Sequence, residues 1–492
     1  MIVLLLFLIP LVGGLLSFFI KSDKAVRGWS LLISLVVLFL SVASNTFAKS
    51  AGQLNFSAPW MGSLGSSFSL KLDGLSQLLT LLTAIAYPVI LIATWKTEYK
   101  KPNNFFALML LTQAGLMGVF TATDALLFYF FWELALVPVY FLSSGWGHER
   151  RIPVTFKFFV YTFTASVVML VGILYLYFQT PDRSFSMQSF YALKLPADTQ
   201  SWLFWLMFIA FAVKMPVFPF HTWQPDTYEQ SPTAVTMVLS GIMVKMGLFG
   251  LIRWVWPILP SAFHAWGDVT MTMAVIGVIY ASLIAIQQDD LKRLIAYSSI
   301  AHMGIMVMAT FSESAIGMQG VMMQMFNHGI NIIGLWVVVE LIERQFGTRK
   351  ISQLGGIAQK APALATLLVI VALGNIALPL TNGFIGEFLM FNGIWNTNTA
   401  NSHRILFTVF SLISIILAAV YTLNMIKKVF FGNTNTLTEA AHDIHLNERL
   451  VLSALAIVII VLGVYPQPLL DIGNSFVESL SRLVNVANVI VK

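Results

Sequence analysis

Residues 202–226 read WLFWLMFIAFAVKMPVFPFHTWQPD, and this stretch decides the fold. Residues 202–213 carry no charge, and with their continuation they match the length a bilayer core asks of a helix, about 20 apolar residues. Lys214 follows, and then Pro216 and Pro219 remove two backbone donors in mid-run. A broken helix is tolerated at membrane depth only where protein or water satisfies the freed carbonyls and amides. The stretch therefore reads as a discontinuous membrane helix beside a transport path.

The rest of the 492-residue chain has the composition that such a helix needs. It is 58% hydrophobic and 10% charged, with a mean hydropathy of +0.81, whereas soluble domains carry roughly a quarter charged residues. A water-soluble globule is excluded. The absence of cysteine excludes thiolate-held iron–sulfur clusters, c-type haem attachment and Cys-ligated zinc in this chain. The net charge of +6 is spread over short loops between apolar runs, a pattern of membrane orientation and not of nucleic-acid binding. Gly-rich segments such as VGGLL and GSLGSS have neither a Walker lysine nor a strand-to-helix fingerprint, so nucleotide binding is unsupported.

About fourteen apolar runs of membrane-spanning length follow one another, near 2–20, 28–45, 75–95, 105–122, 124–146, 154–178, 202–229, 233–255, 268–287, 291–310, 318–342, 363–397, 405–430 and 449–466. The first lacks a basic leader and a small-residue cleavage site, and so reads as a helix that stays in place, not a signal peptide. The twelfth, ALATLLVIVALGNIALPLTNGFIGEFLMFNGIW, is interrupted by Pro379 and Asn382-Gly383. The breaks in runs 7 and 12 lie five runs apart, and odd spacing reverses the direction of insertion. Runs 4–8 (about 105–255) and 9–13 (about 268–430) are therefore expected to be inverted five-helix repeats. The expected fold is an all-α integral membrane protein: a single membrane domain over residues 1–492, about fourteen transmembrane helices, and discontinuous helices 7 and 12. Of the 28 Lys and Arg, eighteen fall on one set of alternate loops and six on the other. With an even helix count this places both termini on the non-cytoplasmic side.

An ionisable group at the bilayer centre costs at least about 2.5–3.5 kcal/mol, so each one retained there needs a partner or a task. Glu133 (FYFFWELALVP), Lys214, Lys245 (GIMVKMGLFG) and Glu387 (GFIGEF) stand inside apolar runs. A Glu133–Lys214 pair could be a static bridge between helices, or a switch whose separation changes the proton affinity of the lysine. Lys245 lies too near mid-run to snorkel, and its nearest acidic candidates are Asp226 and Glu229 near the interface. His221, His302 and His328 also occupy apolar segments, either as cross-helix hydrogen-bonding groups or as relay stations for protons. Tyr297, Ser298, Ser299, Gln324 and Asn327 around them can hold water. The HDIH pair, His442 and His445, has a spacing that could bind metal, but no third ligand is in sight, and a solvated loop is the better reading.

The strings LFYFFWELALVPVYFLSSGWG, FAVKMPVFPFHTWQPDTYEQSPTAVTMVLSGIMVKMGLFGLIR, QDDLKRLIAYSSIAHMGIM and GFIGEF resemble the antiporter-like membrane subunits of respiratory complex I, the proton-pumping NADH:quinone oxidoreductase. The resemblance runs from the first helix to the last. It departs at Thr227 and Tyr228, where the family usually has Ala and His. Large subunits of multisubunit cation/proton antiporters share the pattern, and a membrane subunit of an energy-converting hydrogenase is a further alternative. Glu387 in the broken twelfth helix matches the M-type, and about 25 residues after helix 14 are too few for the lateral helix of the L-type.

The resemblance implies that Glu133 and Lys214 form a regulating pair, Lys245 the central proton site, His302 and His328 a hydrated axis, and Glu387 the terminal site. It also implies a multi-pass protein of the bacterial inner membrane whose partners are the lipid bilayer and other complex I membrane subunits, especially neighbouring antiporter-like ones. NADH, FMN, iron–sulfur clusters and quinone would belong to other subunits, with no cofactor in this chain and no nucleic-acid partner.

Overall fold

The structure, a computed structural model, describes residues 1–46, 51–397 and 403–491. Each expected apolar run coincides with helix. In chain order these are α1 Ile2–Ser17, α2 Asp23–Thr46, α3 Gly74–Ala93, α4 Pro102–Thr121, α5 Ala125–Trp146, α6 Arg151–Gln179 and α7 in two pieces, Ala197–Lys214 and Gln224–Gln230. Then follow α8 Thr233–Val255, α9 Gly267–Gln287, α10 Leu291–Phe311, α11 Ala315–Phe346, α12 in two pieces, Pro362–Asn375 and Asn382–Trp395, α13 Arg404–Val429 and α14 Leu446–Val464. Among the described residues, eleven helices are long and apolar enough to cross a membrane. The helix starts are written in short polar residues that satisfy orphan amides. Asp124 accepts from the Leu126 and Leu127 amides, Asp290 from that of Arg293 and Ser314 from that of Gly317.

Outside the expected runs, besides short helical turns such as Met187–Tyr191 and Pro260–Ala265, lie a hairpin and a C-terminal helix. A hairpin of β1 Asn55–Met61 and β2 Ser66–Lys71 pairs antiparallel, with Asn55 opposite Lys71 and Ser57 opposite Ser69. The mainly helical class stands, with this one hairpin added. Its alternating NFSAPWM and SSFSLK are too short and too polar for an apolar-run criterion to register. After α14, the helix α15 Gln467–Val491 lays Leu469, Phe476, Val477, Leu480 and Val484 against the bundle, packing on α3 and α11.

Burial sorts the helices into a core and a rim. The most apolar stretches of α8, α10 and α11 are entirely enclosed by protein, whereas those of α2, α6, α13 and α14 are 39% buried, their outer faces being apolar. α8 is also irregular, widening into π-helical turns at Leu239–Met243 and Leu251–Val255 on either side of the turns that carry Lys245.

Both breaks foreseen from prolines are present, and side chains cap the freed backbone. At α7, Trp223 Nε1 donates to the Val213 carbonyl at 3.0 Å. At α12, Asn331 Nδ2 donates to the Gly374 carbonyl at 2.9 Å and Asn327 Nδ2 to that of Asn382 at 2.7 Å. Between the pieces of α12, Ala377 (φ 56°) and Leu380 (φ 73°) occupy the left-handed region, strain that the surrounding structure holds in place.

Gly383 makes this break possible, because a Cβ there would fall inside contact distance of the Gly374 carbonyl oxygen. Gly383→Ala is therefore expected to lower stability by about 1–3 kcal/mol. Gly28→Ala on α2, where a Cβ would meet nothing within 4 Å, should be neutral or slightly stabilising. Thermal unfolding of the detergent-solubilised protein measures both, and equal midpoints for the two variants would contradict the packing argument.

Candidate functional site

The three enclosed helices carry Lys245, His302 and His328. Lys245 on α8 is 0% exposed, and its Nζ donates to the Ser240 carbonyl at 2.9 Å and to His328 Nδ1 at 2.8 Å. With Nδ1 accepting, neutral His328 carries its proton on Nε2, which has no partner among the described residues. The His328 ring on α11 lies 5.4 Å, centroid to centroid, from that of His302 on α10. His302 Nδ1 in turn lies 3.3 Å from Glu387 Oε1 on the second piece of α12. This is within charge contact, though not at a hydrogen-bonding angle. Gln324 Nε2 reaches the same oxygen at 3.5 Å. Lys245, His328, His302 and Glu387 thus form one buried file across the core, in that order.

Polar neighbours named from the sequence surround the file. Ser298 bonds the Tyr421 hydroxyl at 2.9 Å and accepts from Asn375 Nδ2 at 3.4 Å, tying α10 to α13 and to the first piece of α12. Ser299 Oγ and Asn327 Oδ1 are buried without a protein partner among the described residues. Spare hydrogen-bonding capacity of this kind lines wet passages at membrane depth.

Glu133 and Lys214 stand apart from the file and from each other. Glu133, half-buried on α5, accepts from Ser166 Oγ at 2.5 Å. Lys214 is 2% exposed and makes no ion pair or hydrogen bond among the described residues. Its amine lies 5.6 Å from the Trp132 ring and 6.0 Å from that of Phe158, a cation held by aromatic faces. Trp132 precedes Glu133 in the chain and also meets Phe211 on the first piece of α7, with ring centroids 5.7 Å apart. The link toward Lys245 is a backbone crossing, since a Cβ on Gly247 would lie 2.6 Å from the Phe211 carbonyl oxygen. His221 lies outside the file, stacked on Phe218 and edge-on to Tyr280.

Asp226 and Glu229, considered as partners for Lys245, belong elsewhere. Asp226 binds Lys157 at 2.9 Å and Arg293 at 3.0 Å, and Glu229 binds Arg293 at 2.8 Å and Arg349 at 3.3 Å. Arg349 continues to Asp290 at 2.5 Å and Glu343 at 3.0 Å, and Lys292 joins Glu343 at 2.8 Å. This network, on the cation-rich side, clamps the second piece of α7 to α10 and α11. Reading one run at a time missed it, although the charges flanking Pro225 and the DDLKR string were a signal. His445 and Glu448 in HDIHLNE form a capping box at the start of α14.

A buried, twice-broken helical bundle with a file of titratable groups across its middle defines a multi-pass membrane protein with an ionisable core. The chain belongs to the family described as NADH:quinone oxidoreductase/Mrp antiporter, TM, which matches residues 122–416. Among its relatives, NADH-quinone oxidoreductase subunit M of Rickettsia prowazekii is 36% identical over 96% of this chain and 97% of its own. The Escherichia coli subunit of the same name is 34% identical over 97% of each chain. F420H2 dehydrogenase subunit M of Methanosarcina mazei is 35% identical over 96% of each. Among solved structures, a chain of Thermus thermophilus respiratory complex I superposes with a TM-score of 0.89 at 26% identity, covering 98% of this chain and 100% of that one. A chain of the Dietzia Mrp complex shares the fold with a TM-score of 0.87 at 17% identity, covering 100% and 99%.

His148, in the loop between α5 and α6, provides a test of the ionic network. Burial and the Lys292 ammonium hold its imidazole below the ordinary histidine range, against the opposing pull of Glu343. The folded protein thus refuses a proton that the unfolded chain takes near pH 6.5. Stability is fully present above that pH and is lost as pH falls toward the folded value. Acidification from pH 7 to 5 should therefore lower the unfolding midpoint, and His148→Gln, which does not titrate, should flatten that slope. An identical slope in the variant would contradict the assignment.

Proposed function

We propose that this chain is the proton-translocating, non-redox M-type subunit in the membrane arm of an NADH:quinone oxidoreductase, driven by quinone reduction elsewhere in the complex. The observation that carries the reading is the buried file Lys245–His328–His302–Glu387, its first three members on the enclosed helices α8, α11 and α10 and its last on the second piece of α12. Full-length relatives at 34–36% identity bear the name of that subunit. The runner-up is a subunit of a cation/proton antiporter or an energy-converting hydrogenase, and the Mrp chain supports it by fold alone.

In this reading residues 1–492 are one membrane domain of about fourteen spans, with inverted repeats at 105–255 and 268–430. Both termini face the non-cytoplasmic side of a bacterial inner membrane. Neighbouring antiporter-like subunits flank it, while NADH, FMN, iron–sulfur clusters and quinone belong to other subunits. A proton taken up from the cytoplasmic side reaches Lys245. Closing or opening the Glu133–Lys214 pair changes the charge beside it, and repulsion between like charges in a low dielectric drives the proton along the histidines to Glu387. The clamp on the second piece of α7 supports a coupling of this kind, because it ties movement at that break to α10 and α11, which carry the histidines.

The test is pumping by the intact complex in vesicles with a pH-sensitive dye, at matched redox turnover. Lys245→Arg should lose pumping roughly tenfold or more, because a guanidinium keeps its proton. Glu387→Gln should lose it similarly, and Glu387→Lys should retain part, since an amine can still cycle a proton. Near-wild-type pumping in both Lys245→Arg and Glu387→Gln would overturn the reading. An antiporter subunit would have no quinone reductase activity to match.

A further inference from the structure

α8 carries a second cation that the file does not use. Arg253 lies eight residues beyond Lys245 in the chain, about 12 Å further along the axis at 1.5 Å per residue, toward the face that holds the hairpin and α15. It falls near the end of the eighth apolar run, and its side chain is 5% exposed. Nη1 bonds Asp73 Oδ2 at 2.5 Å and Nη2 bonds Asp73 Oδ1 at 2.7 Å. Asp73 is itself held, capping α3 by accepting from the Ser76 amide at 3.2 Å. The rings of Phe249 and of Phe476 on α15 flank the guanidinium at 5.3 and 5.1 Å. A buried ion pair is weak evidence for stability, because desolvation offsets much of its attraction, so its placement calls for another reason.

The two sides of the pair differ. Outward lies a cavity of about 480 Å³ with Lys71, Gln77, Ser475 and Ser479 in its walls. Inward, Arg253 Nη2 also donates to Ser76 Oγ at 3.2 Å. Ser76 begins a hydroxyl stripe, continued by Thr80, Thr83 and Tyr87 at spacings that share one face of α3. All four residues are at most 1% exposed. Thr80 and Thr83 bond carbonyls of their own helix at 2.7 and 2.8 Å, but the Tyr87 hydroxyl has no partner among the described residues. α3 packs against the Thr233–Met243 part of α8, which contains Ser240, the residue whose carbonyl binds Lys245. A polar face thus leads from the neighbourhood of the central lysine to the outer cavity, and the Asp73–Arg253 pair lies across its outer end.

We propose that Arg253, locked by Asp73, is an electrostatic plug that keeps a proton at Lys245 from escaping along α3 to the non-cytoplasmic side. A guanidinium does not deprotonate in proteins, so it relays no proton, and its fixed positive charge repels an approaching one. The inference rests on the translocation reading above.

The experiment is the decay of an imposed pH gradient across vesicles containing the intact complex, without redox turnover. Arg253→Gln should speed the decay at least about threefold, whereas Arg253→Lys, which keeps the positive charge, should stay near wild type. The single Gln variant leaves Asp73 buried and unpaired. The double variant Arg253→Gln/Asp73→Asn removes both charges and keeps an Asn cap on α3, so it is the safer fold and should leak to the same degree. Wild-type decay in either assembled variant overturns the plug. Adding Lys245→Met to the leaking variant should restore tightness, and a leak that persists overturns the link to Lys245. Failure of the translocation reading is seen separately, as pumping retained in Lys245→Arg and Glu387→Gln.

Discussion

An amine with no carboxylate partner among the described residues lies at the centre of this protein, held by an imidazole and a backbone carbonyl. The apolar interior makes such a group costly unless other helices bring polar atoms to it. Lys245 therefore demands that α8 be enclosed, that α11 present His328 within 2.8 Å, and that lipid be kept away by a surrounding layer. The π-helical turns on either side of Lys245 and the close crossing at Gly247 belong to the same solution. At Gly247 the backbone of α7 comes nearer than any larger residue would allow.

The broken helices follow from a related constraint. A carbonyl freed at membrane depth must find a donor, and here the donors come from α11, whose Asn327 and Asn331 hold the two pieces of α12. The same helix holds His328, and the second piece of α12 holds Glu387. The atoms that repair the break thus also set the distance between the ends of the file. Backbone strain at Ala377 and Leu380 persists because this repair leaves the chain no relaxed alternative.

Charge is handled differently at the two faces. On the cation-rich side, Arg293 binds two carboxylates of the second piece of α7 and Arg349 binds carboxylates of three segments, which makes a clamp of loops and helix ends. On the opposite side, one bidentate pair between α3 and α8 is enclosed by aromatic rings. The clamp joins separate pieces of chain into one body, whereas the pair lies between two polar compartments.

The sequence by itself determined the class, the helices and their breaks. Hydropathy runs, prolines in mid-run and the bias of Lys and Arg are local properties that a bilayer reads one segment at a time. It also singled out Glu133, Lys214, Lys245, His302, His328 and Glu387, because a charge or imidazole in an apolar run is conspicuous without knowledge of its neighbours. The hairpin at 55–71 was less legible, since its alternation is short and polar. Only the tertiary structure decided which groups meet. It joined Lys245 to His328 and His302 to Glu387, left Lys214 among aromatic rings, gave Asp226 and Glu229 to arginines, and paired Arg253 with Asp73. Each of these depends on how helices far apart in the chain rotate and cross, and periodicity within one helix carries no information on the azimuth of another.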